Sequence, residues 1–163
     1  MDGQLRNMTA IYLFKEEKVL LLHRNGGKVA NQLWIGSAGG HFEKHELNNA
    51  KACVLREMKE ELGLNSENIE NLSLRYITLR NTQRETRQNY YFFASLKTDR
   101  VLKSTEGVLK WFPYEEAATL NMPVSAKHMM RHYLTVGRFD ETLYAGITEE
   151  QGTSFVPLSE FEG

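Results

Sequence analysis

The sequence predicts an α+β fold in which mixed β-strands pack with one strongly marked helix. Two patterns support this prediction: short runs rich in β-branched and aromatic residues recur along the chain, and a helical arrangement of carboxylates and apolar residues ends at Gly63. The 163 residues are 41% hydrophobic and 25% charged, an ordinary globular composition. We therefore expect one domain over 1–163 that buries roughly two thirds of its unfolded surface.

The predicted strands are runs of β-branched and aromatic residues bounded by polar or glycine-containing segments. They lie at 8–14, 18–23, 33–35, 72–79, 89–96, 107–112, 142–147 and 153–157. The polar turn 15–17 makes a hairpin of the first two strands, the Asn-Gly-Gly segment 25–27 marks a loop, and the charged segment 80–87 connects the fourth strand to the fifth.

Helices are predicted at three places. A helix runs from about Ala50 to Leu62, Pro113 opens a short helix, and 125–134 is an amphipathic helix with Ser125 as its N-cap. The tail 138–163 has no assigned role beyond its two strand candidates.

The helix 50–62 is the most informative element. At ~3.6 residues per turn, Glu57, Glu60 and Glu61 lie within roughly a third of its circumference, and apolar side chains opposite them let the helix pack down and point its acids outward. An isolated glutamate pair on a helix is ordinarily a solvated surface. Three neighbouring carboxylates repel one another, whereas a hard cation such as Mg²⁺ turns that repulsion into binding. The pattern therefore predicts a helix that presents a metal site.

The residues around this helix resemble the Nudix box, the signature of hydrolases that act on a nucleoside diphosphate linked to another group. The second half of the box is matched by Arg56, Glu57, Glu60, Glu61 and Gly63. Its first half is matched by Gly40, followed after five residues by Glu46. On these residues the chain is identified as a MutT-like member of the Nudix family, with the box at about 39–64 and the resemblance covering about 8–134.

The box departs from the family pattern between its two halves. Nine residues, 47–55, separate Glu46 from Arg56, where the family has seven. We place the two extra residues in a loop at 47–49, which keeps the glutamate face of the helix intact and leaves the position of Glu46 open. Ala38 and His45 replace a proline and a glycine that relatives often carry, so the loop is less stiff than usual.

The resemblance implies an α/β/α sandwich with a mixed sheet and a hydrolase that depends on Mg²⁺ or Mn²⁺. It makes Glu60 and Glu61 the principal metal ligands and Glu57 either a ligand or the general base. The Gly39 carbonyl becomes a further ligand, because glycine lets the backbone approach an ion closely. Arg56 then orients Glu57 through a charge-assisted hydrogen bond, with a surface salt bridge as the alternative.

Candidate residues also lie outside the box. Glu106 matches a family loop whose glutamate closes over the metal site, although a lone loop glutamate is usually solvated. Asn121, in an Asn-Met-Pro-Val segment, resembles the asparagine with which MutT-type 8-oxo-dGTP diphosphatases read a purine edge; the alternative is a role in the turn before the last helix. Arg24 is a candidate phosphate or base contact. Trp34 is a candidate stacking surface, although most strand aromatics belong to the core.

The implied function is cleavage of a pyrophosphate bond in a nucleoside triphosphate or a related nucleoside diphosphate derivative, including the sanitising of oxidised purine nucleotides. Markers of other Nudix branches are missing: no proline lies between Leu64 and Trp111, position 82 is threonine rather than tyrosine, and the upstream coenzyme A signature is absent. Two alternatives stay open, an enzyme for ADP-ribose or nucleoside diphosphate sugars and a catalytically inactive Nudix-fold regulatory module. The retained carboxylates favour an enzyme, and the two-residue insertion favours the module.

Charge and cysteine content narrow the expected partners. A net charge of −1 argues against a duplex-binding face, so we expect a small-molecule nucleotide rather than a nucleic acid. The single Cys53 cannot form an internal disulfide, and neither a signal pattern nor a long apolar run occurs, which favours a cytoplasmic protein without membrane contact. A monomer and a homodimer both fit. The arginines at 80, 84 and 87 flank the turn between the fourth and fifth predicted strands and are explained as an exposed charged edge.

Overall fold

The computed structural model describes residues 3–24 and 33–161, so the loop predicted at 25–27 lies outside the described residues. The strands are β1 Leu5–Lys15, β2 Lys18–Arg24, β3 Trp34–Ile35, β4 Ala38–His41, β5 Ile69–Asn81, β6 Thr86–Leu96, β7 Gly107–Pro113, β8 Leu143–Glu149 and β9 Gly152–Leu158. The helices are α1 Ala50–Leu62, α2 Tyr114–Ala117 and α3 Val124–Thr135, with 3₁₀ turns at Lys44–Glu46, Ser66–Asn68 and Gly137–Phe139. Within the described ranges, none of the helices is long and apolar enough to cross a membrane.

The strands form one mixed sheet in the order β3-β2-β1-β6-β5-β8-β9. Off this path, β4 pairs with β1 and β7 pairs with β2. β1 is the point at which the sheet forks, because one edge runs parallel to β6 while the other pairs first with β4 and then with β2. The fork places β4, which carries the glycine pair, beside the first half of β1.

Hydrophobic clusters cover both faces of β1. Ile11 and Leu13 are fully buried in a cluster that includes Met58 of α1. Tyr12 lies between them in sequence and is buried in the other cluster, which includes Met129 of α3. This alternation follows from the two-residue period of a strand. Helices on both faces of a mixed sheet make the α/β/α sandwich that the resemblance implied.

The predicted hairpin of the first two strands is confirmed, and the charged connection between the fourth and fifth predicted strands is shorter than expected. β1 and β2 pair around Glu16 and Glu17, whose φ values of 52° and 59° are left-handed, as a two-residue hairpin turn requires. β5 continues to Asn81 and β6 begins at Thr86, so the predicted connection 80–87 is too long. The charged residues at its ends belong to strands because a long side chain can reach solvent while its backbone stays paired.

The start of α3 differs from the prediction. The helix begins at Val124, follows Pro123 and has no side-chain cap. Ser125, predicted as the N-cap, lies inside the helix, where its buried hydroxyl is 3.0 Å from the Thr148 hydroxyl. That prediction is wrong because the fixed φ of proline presets the entry to the helix and leaves the serine for a tertiary contact.

The tail, which the sequence left unassigned, extends the sheet as the hairpin β8–β9. β8 runs parallel to β5. Arg75 of β5 is 7% exposed and donates hydrogen bonds to the carbonyls of Gly137 at 2.6 Å, Asp140 at 3.0 Å and Thr142 at 3.1 Å. These bonds fasten the segment between α3 and β8 to the sheet.

Candidate active site

Both ends of α1 are fixed by local hydrogen bonds. The Asn49 side-chain oxygen accepts the main-chain N–H of Ala52 at 3.0 Å, which caps the first turn. Gly63 ends the helix in the left-handed conformation, with φ at 67°. The helix therefore has the predicted bounds. The chain enters it through the turn Lys44–Glu46 and the residues 47–49, where the two extra residues of the box were predicted.

Glu46, whose position the sequence left open, lies buried against Arg56. Its side chain is 1% exposed and accepts two hydrogen bonds from Arg56, from Nε at 2.5 Å and from Nη2 at 3.0 Å. These bonds lower the pKa of Glu46 to about 2, from a usual value of 4.5. Glu46 was not among the predicted site residues, although its match to the box was a usable signal. Glu46 therefore holds Arg56 in place, and Arg56 in turn contacts other glutamates of the site.

Arg56 reaches two of the three predicted glutamates. Its Nη1 donates to the Glu57 carboxylate at 2.8 Å and to the Glu60 carboxylate at 3.1 Å, and its Nη2 donates to the His41 carbonyl at 3.1 Å. The predicted contact between Arg56 and Glu57 is therefore present. The Arg56 side chain is 21% exposed, so this is a partly buried network with fixed partners rather than a mobile surface pair.

The three glutamates occupy different environments. Glu60 is exposed, the Glu57 side chain is 13% exposed, and Glu61 is buried at 8%. The expectation that all three acids point outward is wrong for Glu61, whose carboxylate accepts the N–H of Gly39 at 3.3 Å. Burial, and to a smaller extent the negative charges of Glu57 and Glu106, raise the pKa of Glu61 to about 7, against the lowering effects of the Gly39 hydrogen bond and the Arg24 charge.

Neighbouring atoms lie so close to Gly39 and Gly40 of β4 that both positions favour glycine. A Cβ atom on Gly39 would lie 2.2 Å from the Thr9 carbonyl oxygen, so no side chain fits there. A Cβ atom on Gly40 would lie 2.5 Å from the carboxyl carbon of Glu57. The glycine backbone thus forms a cradle against the carboxylates of α1.

The chemistry of these oxygen donors suits a divalent cation, although the carboxylates of Glu57, Glu60 and Glu61 do not bring their oxygens within 4.8 Å of one another in this structure. Carboxylate and carbonyl oxygens are the ligands that Mg²⁺ and Mn²⁺ prefer, and a buried carboxylate beside like charges gains most from a nearby cation. A different group in the described ranges, Glu43, His45 and Glu46, has ligand atoms within 4.8 Å of one another. Arg56 Nε lies 3.8 Å from Glu43 and closer to Glu46, and this positive charge disfavours a cation there.

The loop between β6 and β7 brings Glu106 to this end of α1. The main-chain N–H of Thr105 donates to the Glu61 carbonyl at 3.2 Å, and the Arg100 side chain donates to the Gly63 carbonyl at 3.1 Å. Glu106 itself is exposed, and its charge acts on Glu61. The role of Glu106 over a metal site stays a prediction, supported by the effect of its charge on the pKa of Glu61.

A cleft of about 250 Å³ opens beside the Glu61 carboxylate, whereas Glu57, Glu60 and Glu106 do not line it. Its floor comes from β1 and β6 and its roof from the start of α3. Glu61, Gly39 and Arg24 line one part of it. The floor and the opposite rim include Tyr12, Tyr91, Asn89, Arg6, Arg80 and Arg87. The mixture of apolar walls and cationic rim suits a ligand with a flat apolar portion and anionic groups.

Of the three residues predicted to contact the substrate, one lines the cleft and two do not. Arg24 lines the cleft, and its buried Nε has no hydrogen-bond partner within the described residues. The Trp34 ring instead packs on Phe112, with ring centroids 4.7 Å apart, and lies outside the cleft lining. Asn121 is exposed and its carbonyl accepts the N–H of Trp34 at 2.9 Å, also away from the lining.

Several cleft residues were missed by sequence reasoning. Asn89 supplies a side-chain amide on the floor, and Arg6 and Arg87 supply cations at the rim. The alternation of a strand offered a signal for two of them: Arg87 and Asn89 lie two residues apart and so share a face of β6. Arg6 precedes the predicted first strand, so nothing in the pattern marked it.

Residues 4–133 match the family model described as NUDIX domain. The structure is similar to that of the MutT protein from Bacillus halodurans, with a TM-score of 0.67 and 22% identity over 93% of this chain and 97% of that chain. It is also similar to a C. elegans Ap4A hydrolase, with a TM-score of 0.65 and 16% identity over 84% of this chain and 99% of that chain.

A third similar structure is the NUDIX domain of Shewanella oneidensis NrtR complexed with ADP ribose, with a TM-score of 0.59 and 14% identity over 86% of this chain and 90% of that chain. At these identities the structural comparisons establish the fold. The family match spans most of the chain and contains the glycine pair, α1 and the start of α3. The chain therefore belongs to the Nudix family of hydrolases.

Proposed function

We propose that this Nudix hydrolase cleaves a pyrophosphate bond in a nucleoside triphosphate or a related nucleoside diphosphate derivative. The proposal rests on the position of Glu61, buried on the cleft wall beside Gly39, with the charges of Glu57 and Glu106 within reach. Buried carboxylates beside a cleft with an arginine rim favour the joint binding of a cation and an anionic substrate.

The groups that would hold Mg²⁺ or Mn²⁺ are the Gly39 carbonyl and the carboxylates of Glu57, Glu60 and Glu61. When bound, the cation neutralises phosphate oxygens and lowers the pKa of a water molecule. The fit is supported by the oxygen donors, by the cradle of the glycine backbone and by the burial of Glu61.

Two carboxylates are candidates for the general base that accepts a proton from the attacking water. Arg56 holds the Glu57 carboxylate at 2.8 Å, which fixes the direction from which Glu57 can accept that proton. Glu106 lies on an exposed loop that is tied to Glu61 and can reach the same cluster. Arg24, with its unpartnered buried Nε, would hold a phosphate oxygen of the substrate.

The finer proposal is a preference for oxidised purine nucleotides in a cytoplasmic setting. It is supported by the MutT-like Asn-Met-Pro-Val segment and by the absence of the sequence markers of other Nudix branches. The similar structures include a MutT protein, an Ap4A hydrolase and an ADP-ribose complex, so a substrate panel must cover all of these classes.

The test is hydrolysis with Mg²⁺ of a panel containing canonical dNTPs, 8-oxo-dGTP, ADP-ribose, nucleoside diphosphate sugars and dinucleoside polyphosphates. We expect a nucleoside triphosphate to give a nucleoside monophosphate and pyrophosphate, because attack expels the group that cations neutralise best. Products consisting of a diphosphate and orthophosphate contradict this reaction. Binding without hydrolysis of any member indicates a regulatory module instead.

Two asparagines are candidates for recognising the purine base of the substrate. Asn121 carries the sequence resemblance, whereas Asn89 lies in the cleft. Loss of an amide matched to a purine edge typically costs ~1–3 kcal/mol of discrimination. We therefore expect Asn121→Ala to lower the ratio of kcat/KM for 8-oxo-dGTP over dGTP. A ratio unchanged by Asn121→Ala and lowered by Asn89→Ala would transfer that role to Asn89.

A further inference from the structure

Three arginines lie side by side across neighbouring strands at one end of the cleft. Arg6 of β1 and Arg87 of β6 are register partners, and Arg80 of β5 is the register partner of Arg87 on its other side. All three line the cleft. We call Arg6, Arg87 and Arg80 the arginine row.

The arginine row is incompletely neutralised by the protein. Glu85 pairs with Arg6 at 3.4 Å and with Arg87 at 2.9 Å, so one carboxylate serves two cations. Arg80 has no ion pair within the described residues, and the buried Nε of Arg6 has no hydrogen-bond partner there. Like charges directly opposite on neighbouring strands destabilise a sheet. A bound anion would remove that cost.

The row is separated from the carboxylate end of the cleft. Gly39 pairs with Ala10 on β1, and from Ala10 to Arg6 the strand covers roughly 14 Å at ~3.4 Å per residue. This is several times the spacing of two neighbouring phosphoryl groups. Arg6 Nη2 lies 3.2 Å from His41 Nε2 of β4 and so reaches back toward the glycine pair, whereas Arg80 lies three strands from β4, roughly 14 Å across the sheet at ~4.8 Å per strand. The Arg80 end of the row is therefore too distant to serve a diphosphate bound at the carboxylates, although both line the same cleft.

We propose that the arginine row binds a phosphoryl group on the part of the substrate remote from the diphosphate that is cleaved. The guanidinium fork donates paired hydrogen bonds that match phosphate geometry, and adjacent arginines surround such a group from several sides. The proposal rests on the proposed function, because it names a substrate feature for the same cleft. The substrate class is then a nucleoside diphosphate derivative that carries an additional phosphate.

The first test uses matched substrates that differ by one phosphate. These are coenzyme A against dephospho-coenzyme A, and 2′-phospho-ADP-ribose against ADP-ribose. We expect kcat/KM to be at least about tenfold higher for the phosphorylated member of a pair, a difference typical of one well-matched charged contact. We expect Arg80→Gln to reduce that preference, and Arg84→Gln, an exposed position on the same hairpin, to leave it unchanged. Equal rates within both pairs overturn the proposal.

The second test measures binding without hydrolysis, so that the two proposals can fail separately. Calorimetry without divalent cations compares adenosine 3′,5′-bisphosphate and adenosine 2′,5′-bisphosphate with adenosine 5′-monophosphate. Tighter binding of a bisphosphate that is weakened by Arg80→Gln supports the arginine row even where no substrate is cleaved, a result that would contradict only the proposed function. Equal affinity for all three nucleotides by a protein that hydrolyses the panel overturns the row and leaves the proposed function standing. Thermal unfolding serves as the control: because Arg80 has no ion pair to lose, Arg80→Gln should not lower Tm.

Discussion

Gly39 and Gly40 show how single residues set the geometry of the site. Both lie on β4, and neither position has room for a Cβ atom. The obstacle differs between them. At Gly39 it is the backbone of Thr9, which is held in the sheet, and at Gly40 it is the carboxylate of Glu57, which can rotate. The two positions should therefore respond differently to the same substitution.

We expect Gly39→Ala to lower stability strongly, because β1 and β4 must separate to relieve a 2.2 Å contact with the backbone. Gly40→Ala should fold but lose activity, because the new methyl group displaces the Glu57 carboxylate from Arg56. Urea unfolding and hydrolysis rates of both variants measure this difference. Equal stability of the two variants would contradict the assignment of the obstacles.

The ion pair between Glu46 and Arg56 ties the stability of the site to pH. The hydrogen bonds from Arg56 lower the pKa of folded Glu46 to about 2, below its usual 4.5. Its contribution is therefore fully present above about pH 4.5 and is lost as the pH falls toward 2. Glu46→Gln removes the charge and should cost about 1.5–3 kcal/mol near neutral pH.

The measurement is the free energy of unfolding of the wild type and of Glu46→Gln from pH 6 to pH 2.5. We expect the difference between the two proteins to shrink steadily below about pH 4.5. A difference that stays constant across this range would mean that Glu46 is not held ionised by Arg56.

The residues proposed for the site could be named from the sequence, but their environments could not. The box offsets identified Arg56 and the glutamates of α1, because a helix fixes the spacing of its own side chains. Burial of Glu61 depends on β4 folding over the end of the helix, a long-range contact that helical periodicity does not encode. The placement of Glu46 against Arg56 likewise depends on the turn Lys44–Glu46.

Among the elements, the hairpin β8–β9 illustrates the limit of local patterns. Its strands were predicted at 142–147 and 153–157, close to the observed bounds. Its partner was not predictable, because the parallel pairing with β5 joins segments that are distant in sequence. Arg75 donates to three carbonyls in the segment just before β8 and so holds that segment against β5, and an arginine in a strand gives no local sign of such a role.

We expect Arg75→Ala to destabilise the protein strongly, because each buried carbonyl left without a donor costs roughly 1–3 kcal/mol. The loss should be greatest near β8–β9, which hydrogen exchange can locate. Arg84→Ala, at an exposed position, is the control and should leave exchange unchanged. Exchange that rises uniformly over the whole sheet would show that Arg75 supports the fold rather than the hairpin.

At the scale of the whole molecule, the cleft is assembled by elements from both layers. α1 and β4 supply the carboxylate end, β1 and β6 the floor, and the start of α3 the roof. Ser125, which lines this roof, is held by Thr148 of β8, so the tail that lies beyond the family match also supports the cleft. One cavity therefore holds both the buried Glu61 carboxylate and the arginine rim.

The most direct test of this account compares Glu61→Gln with Glu67→Gln on the best nucleotide of the panel in Mg²⁺. Glu61 is buried at the carboxylate cluster, and Glu67 is an exposed carboxylate beyond the end of α1. We expect Glu61→Gln to lose roughly 10²–10³-fold in kcat, because a preorganised charge is removed. Its Tm should not fall, because the charges of Glu57 and Glu106 oppose a charge at this position. Glu67→Gln should keep wild-type turnover. Wild-type turnover by folded Glu61→Gln would contradict the assignment of α1 as the metal-presenting helix.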